Sequence, residues 1–261
     1  SFGACSSNKK DGPVKTVSNS GYRTPTLGGP VLRNPDMRMG AGFSAAAGVT
    51  QSRGPSDRPF VAMTFDDGPH PQNTPRLLDM LRARNIKATF YVIGRSVDNY
   101  PQIVRRIVAE GHEIGNHTYT HRNLTKLSDS EVLRELTRTK DSIVAASGVQ
   151  PRTMRPPYGA LLQRQRSMIH SDFGYPTILW SVDPRDWQRP GVSVVTSRIL
   201  TNAHNGAIIL AHDLHSPSVD AMPATLDGLL RKGFKFVTVS QMIAMKEAAT
   251  LAAAGSAAVG S

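Results

Sequence analysis

Phe60-Val61-Ala62-Met63-Thr64-Phe65-Asp66-Asp67-Gly68-Pro69 is an apolar run that ends in two adjacent carboxylates and a turn pair. The run reads as a strand, and Asp-Asp-Gly-Pro is good turn chemistry in its own right. A second stretch, His117-Thr118-Tyr119-Thr120-His121, sets two imidazoles four residues apart. That spacing puts both rings on one side of a helical turn or a tight loop, and by itself it is weak, because surface helices carry it by chance. Combined with the carboxylates it becomes specific. One carboxylate and two histidines make a three-ligand divalent site with an open position, as a hydrolytic zinc centre needs. The other carboxylate is then free to act as a base toward water. Adjacent side chains on an extended strand face opposite sides, so one of Asp66 and Asp67 is expected to ligate and the other to reach the water. Imidazole nitrogen with carboxylate oxygen suits Zn²⁺ best, with Co²⁺, Ni²⁺ or Fe²⁺ as alternatives.

Outward from these stretches, short apolar runs alternate with amphipathic segments. Strand-like runs fall at 60–65, 88–93, 113–116, 177–182, 207–211 and 236–239, with a shorter one near 153–155. Helical patterns cover 75–84, 101–110, 128–146, 192–203, 219–230 and 240–248. The second opens with Pro101 and stops at Gly111, and the third begins with a capping-box pair, Ser128 and Glu131. Alternating strand and helix argues for a parallel α/β sheet, and about seven repeats favour a single distorted (β/α) barrel over an open sheet. In a barrel the chemistry sits at the C-terminal strand ends. Asp66 and Asp67, His117 and His121, Asp183 through Trp187, and His212 with Asp213 all fall just past such ends.

The 261 residues suffice for one large α/β domain, and 39% hydrophobic with 20% charged residues is a globular balance. No apolar run reaches the roughly 18 residues that a membrane span needs. Residues 1–55, rich in Gly, Ser, Pro and Asn, read as an extended arm; 56–247 form the globular domain; 248–261 form an Ala/Gly-rich tail that continues the last helix briefly and frays. A net charge of +11 suits an anionic polymer, either nucleic acid or cell wall. The basic residues are scattered rather than striped along a helix, which argues against nucleic acid. The single cysteine, Cys5, forbids an intramolecular disulfide. Small residues leading into Cys5 and then a polar stretch resemble the end of a bacterial lipoprotein signal, with Phe2 where Leu is usual. With no initial Met, this predicts an exported, periplasmic or envelope protein, with Cys5 as a candidate lipid anchor.

Five motifs occur in order: Thr64–Pro69, His117–His121, Arg155-Pro156-Pro157-Tyr158, Asp183–Trp187 and Ile208–Asp213. Together they resemble the polysaccharide deacetylase family, also called the NodB-homology family or carbohydrate esterase family four. The resemblance covers residues 59–240, with no substitution at a key position. It implies that Asp67, His117 and His121 hold the metal, that Asp66 is the general base, and that His212 is the acid for the leaving amine. It implies further that Arg155 orients the base and that Asp186 pairs with His212. The backbone N–H of Tyr158 would help to stabilise the oxyanion, and Trp187 and Leu210 would line a slot for the acetyl methyl group. His70 and His215 lie near the presumed cleft without a motif behind them, His112 and His204 read as structural or solvent-facing, and Asp213 has no assigned role.

The expected function is therefore metal-dependent removal of the acetyl group from N-acetylglucosamine units of a cell-wall polysaccharide, peptidoglycan first. No Ser or Cys nucleophile sits in the motifs, so no covalent intermediate is expected. Chitin or poly-N-acetylglucosamine, acetyl xylan, and an inactive carbohydrate-binding homologue are the alternatives. The partner is an N-acetylated polysaccharide, with no nucleic acid.

Overall fold

The structure is a computed structural model that describes residues 50–259. Residues 1–49 of the expected arm, with Cys5 and its neighbours, lie outside the described residues, as do the last two of the tail. In chain order the elements are β1 (Thr50–Gln51), β2 (Phe60–Asp66), α1 (Asn73–Ala83), β3 (Thr89–Val92), α2 (Gly94–Asn99), α3 (Pro101–Ala109), β4 (Glu113–Asn116) and α4 (Asp129–Ser147). They continue with α5 (Gln163–Phe173), β5 (Thr177–Ile178), α6 (Val192–Asn202), β6 (Ala207–His212), α7 (Ser216–Asp220), α8 (Met222–Arg231), β7 (Lys235–Phe236) and α9 (Val239–Val259). No helix among the described residues is long and apolar enough to cross a membrane.

Among the described residues every pairing between strands is parallel, apart from one isolated antiparallel bridge between Arg53 and Ala207, and β2 is the hub. It pairs with β6 from Val61 to Asp66 along one edge. On the other edge it pairs with β7 at Phe60 and Val61, and with β3 from Thr64 to Asp66. β3 pairs onward with β4. Single parallel bridges carry the ring round from Asn116 to Met154, from Met154 to Thr177, and from Val182 back to Ile209 of β6. The result is the expected distorted parallel barrel, with the 153–155 and 177–182 runs reduced to bridges and a two-residue strand. Thr50–Gln51, which composition assigns to the arm, forms β1 against β5.

Period-two alternation divides β2 and β6 between two cores. Val61, Met63, Phe65, Ile209 and Ala211 face outward into a layer shared with Leu77, Leu78 and Leu81 of α1 and Leu226 and Leu229 of α8. Ala62 and Ile208 face inward with Tyr91, Ile178 and Val237, and the first turns of α9 close the bottom with Val239, Met242 and Ile243. The next inward positions of β2 are Thr64 and Asp66, so the barrel interior changes from apolar to polar on approaching the C-terminal rim.

Three short helices escape the periodicity. α5 is polar apart from Met168, Ile169 and Phe173, and buries Gln165 with Ile169. α2 and α7 are six and five residues long, too short to show a period. The 219–230 pattern is split at Ala221, where α7 gives way to α8. α9 continues to Val259, past the expected fraying at 248. The 128–146 prediction is met by α4. Ser128 Oγ accepts the Glu131 N–H, the Ser128 N–H donates to Glu131 Oε2 at 2.9 Å, and Gly148 closes the helix at φ 72°. Ser128→Ala removes one half of this box and should cost about 1 kcal/mol of stability in a denaturant titration, with the site's metal affinity unchanged.

Candidate active site

Asp66 ends β2 on the inward face, while Asp67 takes a left-handed conformation at φ 75°. That turn corrects the expectation that the two carboxylates diverge. The alternation rule holds only for extended backbone, and Asp67 is no longer extended. Both carboxylates therefore reach His117, whose Nε2 lies 3.3 Å from Asp67 Oδ1 and 3.8 Å from Asp66 Oδ2. His121 Nε2 lies 3.2 Å from the same Asp67 oxygen.

The histidine stretch is a loop, not a helix. Its bends place Thr118 at φ 67° and His121 at φ 60°. Such backbone needs holding, and Glu135 of α4 does this. Its Oε2 accepts the N–H groups of Tyr119 (2.9 Å) and Thr120 (2.7 Å), and its Oε1 accepts the Thr120 hydroxyl (2.7 Å). Asn116 Oδ1 accepts the Thr118 N–H. His117 Nδ1 lies 2.7 Å from the Arg155 carbonyl oxygen, which can only accept, so Nδ1 carries the proton and Nε2 presents its lone pair to Asp67.

Asp67 Oδ1 is buried and has no hydrogen-bond partner. One anionic oxygen facing two imidazole nitrogens calls for a cation. Burial alone would raise the Asp67 pKa, but the imidazoles of His117 and His121 that face its carboxylate hold it well below the carboxylate range. Burial likewise works against charge on His117, but the Asp66 and Asp67 carboxylates push its pKa up. The raised His117 pKa reports a negative potential, which favours a cation at the point where the three side chains converge. Asp67, His117 and His121 offer ligand atoms within 4.8 Å of one another, so the donor set fits a divalent metal.

Arg155 is fully buried. Its Nη1 donates to Asp66 Oδ1 and Thr64 Oγ1, both at 2.7 Å, Nε donates to the Ile178 carbonyl, and Nη2 donates to the Leu179 carbonyl. Its guanidinium carbon stands 4.4 Å from the Tyr91 ring centroid. Asp66 thus has one oxygen fixed by a cation and the other turned toward His117.

His212 ends β6 directly beside Asp66 in the strand register. Asp186 takes both its backbone N–H (2.9 Å) and its Nδ1–H (2.8 Å), leaving Nε2 outward. Burial alone would lower the His212 pKa, but the Asp186 hydrogen bond and the carboxylates of Asp186, Asp66 and Asp67 push it up to about 9. Tyr158 is 68% exposed, sits at φ 61°, and meets His121 edge-on at 5.0 Å between ring centroids. Trp187 is 53% exposed, and Leu210 is buried on the inward face of β6 with Ile208 and His212. His70 caps α1, with Nδ1 accepting the Asn73 N–H at 3.1 Å. His112 accepts the Ala88 N–H, and burial lowers its pKa to about 4.

Sequence reasoning missed Thr64, Glu135 and the brace around Asp213. Thr64 lay inside the decisive motif, but nothing in a lone Thr signals a bond to a buried guanidinium. Glu135 sits in an ordinary amphipathic helix and carries no signal. Asp213 is fully buried, accepts the Thr74 hydroxyl, and packs on Gly68, where a Cβ would stand 2.4 Å from a carboxylate oxygen. Burial, helped by the Asp67 charge, pushes Asp213 up to about 7.

Residues 53–178 match the polysaccharide deacetylase family. Over 186 residues, 71% of this chain, it is 40% identical to a peptidoglycan-N-acetylglucosamine deacetylase of Listeria monocytogenes, and it spans only 39% of that protein's length. It is also 40% identical over 197 residues to a chitooligosaccharide deacetylase of a Bradyrhizobium species, covering 70% of this chain and 90% of that one. The crystal structure of a peptidoglycan N-acetylglucosamine deacetylase superposes with a TM-score of 0.72 at 37% identity, over 74% of this chain and 92% of the other. The chain belongs to the polysaccharide deacetylase family.

Two measurements test this geometry. Glu135→Ala frees the loop that carries His117 and His121 and should weaken metal binding about 10- to 100-fold in competition with a chromophoric chelator. Asp186→Asn removes the charge that raises His212. The alkaline limb of the rate profile should then move from near 9 toward the ordinary imidazole value, because His212 loses its proton at lower pH.

Proposed function

We propose that this protein hydrolyses the N-acetyl group of N-acetylglucosamine units in a cell-wall polysaccharide, peptidoglycan first, releasing acetate and a free amine. The observation that carries this reading is the convergence at one barrel rim of three metal-ligand donors, a carboxylate held by a buried arginine, and a histidine held by a buried aspartate. Asp67, His117 and His121 hold the metal, and Zn²⁺ suits their mixed nitrogen and oxygen donors. A bound divalent cation supplies Lewis-acid polarisation of the acetyl carbonyl and makes water more acidic.

The chain's own groups do the rest. Arg155 fixes Asp66 Oδ1, so Oδ2 takes the proton as water oxygen bonds to the acyl carbon. The Tyr158 N–H donates to no protein acceptor among the described residues, which suits it to the developing oxyanion. His212, protonated beside Asp186, gives the Nε2 proton to the nitrogen as the carbon–nitrogen bond breaks. Trp187 and Leu210 bound the acetyl methyl group. We place the activity at the cell envelope, where the polymer lies. A second reading, neutral N-acetylglucosamine oligomers as substrate, is favoured by the likeness to the chitooligosaccharide deacetylase.

The test is acetate release from purified peptidoglycan and from chitin oligomers, with protein stripped of metal and then restored with Zn²⁺. Restored release from peptidoglycan is expected; zinc-loaded protein that releases acetate from neither polymer would overturn the reading. Asp66→Asn and His212→Gln should each lower kcat about 10²- to 10⁴-fold, with KM changed little.

A further inference from the structure

Seven described residues other than glycine have positive φ: Asp67, Asn85, Thr118, His121, Tyr158, Arg185 and Arg189. Asparagine adopts this conformation readily, and four of the others shape the site already described. The remaining two are arginines at either end of the single turn Asp186–Gln188, at φ 54° and 55°. Elsewhere this chain puts glycine where the backbone turns left-handed, at Gly111, Gly148, Gly174, Gly206 and Gly233. Side chains kept at positions where glycine costs less point to a use for them.

Both arginines are exposed, and neither guanidinium makes a hydrogen bond or ion pair among the described residues. Arg76, Arg84, Arg106 and Arg122, by contrast, each meet a carboxylate. The nearby Asp183 spends its Oδ1 on the backbone N–H of Arg185 at 2.8 Å. The turn itself is anchored, because Asp186 inside it makes two hydrogen bonds to His212. Two free guanidiniums therefore sit two residues before and two residues after the exposed Trp187 in the chain, on a turn tied to the site's histidine.

We propose that Arg185 and Arg189 form a carboxylate-binding rim on either side of Trp187, which selects glycan strands bearing acidic side groups over neutral ones. The inference rests on the deacetylase reading and specifies its substrate. Guanidinium forks match carboxylates, the Trp187 face suits a sugar ring between them, and the net charge of +11 draws an anionic strand toward the surface.

The test uses the zinc-loaded full chain and two substrates: peptidoglycan strands with free peptide carboxylates, and the same strands with those carboxylates capped as methyl amides. The variant is Arg185→Gly with Arg189→Gly, which the left-handed backbone accommodates, so its melting temperature should not fall. The preference in kcat/KM for the acidic over the capped strand should fall about three- to tenfold, through KM, as expected of two exposed ion pairs. In the wild type the preference should also shrink as salt rises. An unchanged ratio, or equal loss on both strands, overturns the proposal. Strand affinity, read from Trp fluorescence, is measured alongside. If the wild type releases no acetate from any strand, the deacetylase reading fails. The rim is then judged by affinity alone, upheld by selective loss for the acidic strand and overturned without it.

Discussion

A fully buried guanidinium is the constraint on which this structure turns. Taking Arg155 out of water costs several kcal/mol unless each of its donors is met. The partners come from distant parts of the chain: Thr64 and Asp66 from β2, and the carbonyls of Ile178 and Leu179 from the strand that closes the ring. Its own carbonyl accepts the His117 Nδ1–H. One residue therefore fixes an oxygen of the proposed base and the tautomer of a proposed metal ligand, and it can do so only when the barrel is closed around it.

The rest of the rim follows the same logic of outer contacts holding inner groups. Glu135 and Asn116 hold the loop of His117 and His121, Asp186 holds His212, and Asp213 with Thr74 backs the turn after Asp67. The left-handed backbone at Asp67, Thr118, His121 and Tyr158 is local strain that these contacts sustain. Fixed in this way, the groups are aimed before a substrate arrives, and preorganisation of this kind is what electrostatic catalysis needs. The apolar lower barrel, with Ala62, Tyr91, Ile208 and the first turns of α9, provides the rigid base.

Much of this was legible in the chain. The apolar runs at 60–65, 88–93 and 207–211 became β2, β3 and β6, because parallel strands buried on both faces leave an apolar signature, and the strand-like run at 113–116 became β4. The capping box at Ser128 and Glu131 marked the start of α4 because its chemistry is local. α5 was missed because a helix that buries Gln165 and Ile169 beneath polar neighbours carries almost no period. β1 was missed because two residues are too few for a pattern, and its partner lies far along the chain.

Residue types and their spacing already carried an aspartate and two histidines as candidate metal donors and a second carboxylate as a candidate base, since the chemistry of a side chain does not depend on the fold; the pairing of His212 with Asp186 came from the family resemblance of the motifs. Direction did depend on the fold. That both carboxylates face His117, and that Glu135 and Asp213 brace the rim, were decided by tertiary structure alone. The reason is physical: a left-handed turn at Asp67 and a buried charge at Arg155 are stable only under contacts from strands and helices that lie far away in sequence.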